Sequence, residues 1–155
     1  MPLRHFFKTE IRYWLPMVLM TYIGINGYLS GWTSWLVPDL HVPLMYTGDQ
    51  LFYGVMFKRQ IEGFWYLENM QFGYPFVSAL YDFPMSFLDA VTIKLFGLIS
   101  PAWYAVYTMY VVTSFVVNAV VGYVVMRAMQ ITPWWALVGA TLFNLLPFHF
   151  YRIGH

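Results

Sequence analysis

The sequence predicts an all-α integral membrane protein: three transmembrane helices, and a long external loop carrying two short amphipathic or re-entrant helices. Three observations lead there. Of the 155 residues, 60% are hydrophobic and only 10% charged, against roughly 45–50% and about 25% in soluble domains. Three stretches, Tyr13–Pro38, Leu95–Met126 and Ala128–Tyr151, contain no Asp, Glu, Lys or Arg, and each exceeds the ~18 residues that mark a spanning segment. Basic residues cluster at the flanks of these stretches rather than along them. The same composition excludes other classes. Aromatic residues make up 22% of the chain, which no disordered chain carries. A net charge of +1 is far from that of a nucleic-acid binder, so no nucleic-acid partner is expected. With no cysteine there is no disulfide, thiolate metal site or Cys nucleophile.

Residues 1–13 form the N-terminal flank, with Arg4, Lys8 and Arg12. The first transmembrane helix is expected at 14–37, with Pro16 in its first turn, where a missing N–H does least harm. It is an anchor rather than a cleaved leader, because its apolar run exceeds the roughly 7–15 residues of a signal core and no small-x-small site follows. The loop, residues 38–100, holds six of the seven acidic residues against three basic ones, leaving it at −3. A helix is expected at 49–62, with Asp49 as N-cap, Lys58 and Glu62 as an i,i+4 pair, and Phe52, Tyr53, Met56, Phe57 and Gln60 on one face. A second is expected at 87–99, where Ser86 and Asp89 fit a capping box. That helix is too short to cross a bilayer. Between them, Gly63–Pro84 is dense in aromatics, as a membrane-interface belt or the wall of a cleft would be. The second transmembrane helix follows Pro101 at 102–126, and the third, opened by Pro133, spans 132–149 with Pro147 near its end. Residues 150–155 form an external tail. Arg4, Lys8, Arg12 and the turn residue Arg127 put the N-terminus and that turn in the cytoplasm.

Four residues stand out for chemistry, and this topology brings all four to the outer side. Asp49, at the membrane surface, can serve as a general base for a hydroxyl or hold a divalent cation; its plain role is to cap a helix. Asp82, between Tyr81 and Phe83, is either a catalytic acid or a turn former. Arg152 could clamp a phosphate through paired N–H donors, and His155, like His149, could bind a ligand or carry a proton. Asp89 and Asp39 are better explained by a cap and a turn. Gly27-Tyr28-Leu29-Ser30-Gly31 is a GxxxG, which points to a helix–helix partner through Gly27 and Gly31. No P-loop, nucleophile elbow or zincin motif occurs.

The order of a basic N-terminus, one spanning helix and an external loop beginning Gly48-Asp49-Gln50-Leu51-Phe52 resembles the amino-terminal part of GT-C-type membrane glycosyltransferases. The stretches Ile61-Glu62-Gly63-Phe64-Trp65-Tyr66-Leu67-Glu68-Asn69, Phe72-Gly73-Tyr74-Pro75-Phe76 and Tyr81-Asp82-Phe83-Pro84 are similar to YfhO-type multi-spanning bacterial proteins, grouped with the same superfamily. The resemblance implies a multi-pass protein of the bacterial inner membrane that transfers a sugar from a polyprenyl-phosphate donor to an acceptor hydroxyl on the outer face. Its partners would be membrane lipid and the lipid-linked donor. The site implied is Asp49 and Asp82 as catalytic acids; Gln50 stands where members often carry a second acid. Such enzymes have many more helices, so the chain is expected to be an amino-terminal piece. The alternative is a small non-enzymatic membrane protein, a subunit of an assembly or a transport component.

Overall fold

The computed structural model describes residues 3–31, 37–44, 49–63 and 85–151. Among them the regular structure is entirely helical: α1 Leu3–Leu29, α2 Gln50–Glu62, α3 Phe87–Gly97, α4 Trp103–Ala128, α5 Pro133–Asn144 and α6 Pro147–Tyr151. The chain divides into two compact units, Met1–Pro38 with Val111–Ile153, and Asp39–Tyr110 with Gly154–His155.

In the first unit, α1 differs from the expected 14–37 at both ends. It starts at Leu3 because apolar content marks where a membrane could begin, whereas a helix runs back until something stops it, and nothing between Arg4 and Arg12 does. Pro16 therefore lies inside the helix rather than in its first turn, leaving the Arg12 carbonyl without its i+4 donor. The helix stops at Leu29 because Gly31 takes φ 59°, with the Ser30 and Gly31 N–H groups turned back onto Asn26 and Tyr28. Gly27 is buried within α1 while Gly31 lies beyond its end, so the two glycines do not form one helical face.

The core of this unit joins Met17 of α1 to Ala119 and Tyr123 of α4 and to Ala136, Leu137 and Ala140 of α5. Small residues let the helices approach: Gly122 faces Ala140, and a Cβ on Gly139 would lie 2.9 Å from the Met126 sulfur. The α4–α5 turn is a Schellman motif. Gln130 takes φ 64°, its N–H donates to the Arg127 carbonyl, and the Ile131 N–H reaches back to Met126. The third expected helix, 132–149, is two helices, α5 and α6, broken at Leu145–Leu146. Pro147 explains the break, since it removes an N–H and disfavours helix in the residue before it. The buried Asn144 amide instead donates to the Phe115 carbonyl at 2.7 Å, and Phe150 of α6 stacks on Phe115.

The second unit packs α2 and α3 with the first two turns of α4. Gly54 admits the Trp103 ring, Phe57 meets Tyr107 and Tyr110 edge-on, and Gly97 lies on Ile61. Of the predicted apolar face of α2, Met56, Phe57 and Gln60 are buried, while Phe52 remains exposed. The α3 capping box forms: Ser86 Oγ accepts from the Asp89 N–H and Asp89 Oδ2 from the Ser86 N–H.

Among the described residues, one helix is long and apolar enough to cross a membrane, α4. Its 26 residues reach about 39 Å at ~1.5 Å each, more than the ~30 Å of a hydrocarbon core. Only 28% of its most apolar window is buried, unlike the core helix of a soluble protein. At 12 residues, α5 is too short to cross by itself.

Candidate functional site

Asp49 occupies the position just before α2, where its carbonyl accepts from the Tyr53 N–H, yet its side chain makes no cap hydrogen bond. The backbone explains this. A capping side chain reaches the free N–H groups of the first turn from an extended backbone, as Ser86 does with ψ 164°. Asp49 is already helical, with φ −69° and ψ −9°, which turns the carboxylate away. It is exposed. Asp82, Arg152 and His155, the other three expected site residues, lie outside the described residues, as does most of the aromatic segment 63–84.

The other described acids are engaged. Asp39 Oδ1 accepts from the His41 N–H at 2.8 Å, closing a small turn. Asp89 accepts a 2.6 Å hydrogen bond from the Tyr110 hydroxyl besides its capping bond. Glu62 lies 3.9 Å from Lys58 and 3.8 Å from Arg59. His149 contacts the rings of Phe115, Phe143 and Phe148 edge-on. Among the described residues no three of His, Asp or Glu gather as a metal ion would require.

Two polar clusters escape a motif-based reading. Lys94 of α3 donates through Nζ to the carbonyls of Ile61 and Gly63, so a lysine from one helix closes the C-terminal end of another. Partial burial pushes its ammonium below the ordinary lysine range. The second cluster is Glu10, Tyr123 and Arg127. The Arg127 guanidinium grips Glu10 with two bonds, Nη2 to Oε1 at 3.0 Å and Nε to Oε2 at 3.2 Å. Its remaining nitrogen donates to the Ile131 carbonyl at 2.6 Å, and the Tyr123 hydroxyl donates to Glu10 Oε2. Burial by itself raises the Glu10 pKa, but the bonds from Arg127 and Tyr123 and the Arg127 charge outweigh it, holding the carboxyl below its ordinary value. A carboxylate so engaged is a clamp rather than a base. The signal in the sequence was spacing: Tyr123 and Arg127 share a face of α4 four residues apart, and Glu10 is the single acid outside the loop.

Among the described residues, the Gln60 amide, 1% exposed, finds no hydrogen-bond partner, and neither does the buried Asn26 amide. Such groups cost about 1–3 kcal/mol each. Comparison of the chain with protein-family models, with curated proteins and with solved structures returns no match.

Proposed function

We propose that this chain is the amino-terminal part of a GT-C-like membrane glycosyltransferase of a bacterial inner membrane, using a polyprenyl-phosphate sugar on the outer face. The observation that carries the proposal is the Asp49 carboxylate, exposed at the head of α2 and relieved of the capping role its position suggests. In the proposed reaction the acceptor oxygen attacks the anomeric carbon while Asp49 takes its proton. The bond from that carbon to the phosphate oxygen breaks, and the lipid phosphate leaves with the electron pair. A positioned base of this kind contributes typically ~10²–10⁴ in rate. The roles of Asp82, of Arg152 toward phosphate and of His155 toward substrate belong to this proposal on sequence grounds, as does a divalent cation at Asp49.

Three crossings, at 14–37, 102–126 and 132–149 with the N-terminus cytoplasmic, form the proposed topology. The apolar and largely unburied surface of α4 supports it, as do Arg4, Lys8 and Arg12 ahead of the uncharged run that begins at Tyr13 and the exposed Trp134 and Trp135 at the head of α5, residues typical of a membrane–water boundary. The non-enzymatic alternative draws on a different observation: every described acid except Asp49 serves a turn, a cap or an ion pair. Asp49→Asn separates the two readings. In membranes carrying the full-length protein and supplied with a radiolabelled polyprenyl-phosphate sugar, the wild type transfers label and the variant, at equal abundance, does not. Equal transfer by Asp49→Asn removes Asp49 from the mechanism; no transfer by the wild type removes the enzyme reading.

A further inference from the structure

Close to the middle of α4 stands Asn118, on the exposed side of the helix. Among the described residues its carboxamide makes no hydrogen bond. If α4 crosses the bilayer, this places two N–H donors and a carbonyl at hydrocarbon depth, where water is absent and each unpaired polar group is costly. Asparagine is too short to carry its head group to the interface as lysine or arginine does.

The residues around it give the partner's form. Asn118, Val121, Val125 and Ala128 are all exposed and follow each other at spacings of three, four and three, the seam of a left-handed helix pair. Upstream, Ser114 continues the spacing but is half-buried, and Val111 beyond it is buried, so the exposed seam ends there. The packed face of α4, through Ala119 and Tyr123, lies on the other side of the helix. Val121, Val125 and Ala128 are small and offer no hydrogen bond of their own, so Asn118 is the polar group of the exposed part of the face. A carboxamide complements itself, donating through Nδ2 and accepting through Oδ1, so two copies related by a two-fold axis satisfy one another.

We infer that the occupant of this face is a second copy of the chain, with α4 paired to α4 and the Asn118 amides bonded to each other. The inference rests on α4 crossing the membrane and is independent of sugar transfer.

The chain has no cysteine, so single cysteines report without background. Oxidation in native membranes should cross-link Val121→Cys and Val125→Cys into dimers, and should not cross-link Leu142→Cys on the exposed side of α5. Adding Asn118→Val should lower the dimer yield about fivefold or more, the equilibrium value of one interhelical hydrogen bond, while Asn118→Gln should keep most of it. Absent cross-linking at both valines, or cross-linking unchanged by Asn118→Val, overturns the proposal and leaves the face to lipid or to a different helix. A separate labelling pair tests the premise. Ser100→Cys and Met129→Cys should react with an impermeant maleimide from opposite sides of the membrane. If they label from opposite sides and no dimer forms, only the dimer falls; if they label from one side, α4 does not cross and both readings fall.

Discussion

The Glu10–Arg127 pair can be broken from either side, and the two costs should differ. Arg127→Met keeps the aliphatic stem and deletes the charge. It leaves the Glu10 side chain, only 7% exposed, with the Tyr123 hydroxyl as its remaining hydrogen-bond partner among the described side chains. Removing one partner of a buried pair costs about 3–5 kcal/mol. The Arg127 side chain is 21% exposed, which weakens the pair through solvent screening and brings the expected loss to about 2–3 kcal/mol. Glu10→Gln keeps an acceptor for both donors and surrenders only the charge, so it should cost about 1–2 kcal/mol. The double variant should cost less than the two losses added, by about 1 kcal/mol or more, because each single change already breaks the same bonds. Unfolding by SDS titration in mixed micelles measures all four proteins. The pH dependence gives an independent reading. Glu10 is held below its ordinary value of 4.5, so its contribution is complete above that value and disappears as pH falls through the lower, folded-state value. The stability difference between wild type and Glu10→Gln should therefore stay flat from about pH 7 to about pH 5 and shrink below it. A cost for Arg127→Met no greater than that for Glu10→Gln, or a difference that does not shrink in acid, would refute the clamp.

Three smaller perturbations test the local structure. Ser86→Ala should destabilise the start of α3 by about 0.5–2 kcal/mol, seen as faster amide exchange over residues 87–90. Gly54→Ala puts a Cβ 2.7 Å from the Trp103 ring and should cost about 1–3 kcal/mol through overpacking, with a shift in tryptophan fluorescence. Gln130→Gly should do the opposite, stabilising by about 0.5–1 kcal/mol, because glycine adopts the φ of 64° without a Cβ penalty; a raised midpoint in the same SDS titration checks it.

What the sequence made legible was local. The α3 cap, the two loop helices and α4 follow from rules that act within one turn or one apolar run. The ends of α1 did not follow, because apolar content sets where lipid can lie, and helix ends are set by backbone breaks such as Gly31. The break between α5 and α6 was half legible, through Pro147. Lys94 on the end of α2 was not legible, and Glu10 under Arg127 only faintly, through the Tyr123–Arg127 spacing, since both pairings join residues far apart in the chain. Arg127 also shows a limit of charge counting: a residue taken as a free positive charge flanking a span has its charge neutralised by Glu10.

Asp49 and Ser86 show why the candidate site was harder to read than the fold. Both precede a short helix, and both belong to the residue types that cap best. Ser86 caps because its backbone is extended, with ψ 164°, and Asp49 does not because its ψ of −9° has already turned helical. No residue-type rule separates them; one backbone angle does. That angle also makes Asp49→Asn a cleaner test than residue type alone would allow. Without a capping bond to preserve, the substitution costs α2 no hydrogen bond and at most the small charge–dipole stabilisation of about 0.3–1 kcal/mol, so a complete loss of transfer belongs to the carboxylate's chemistry.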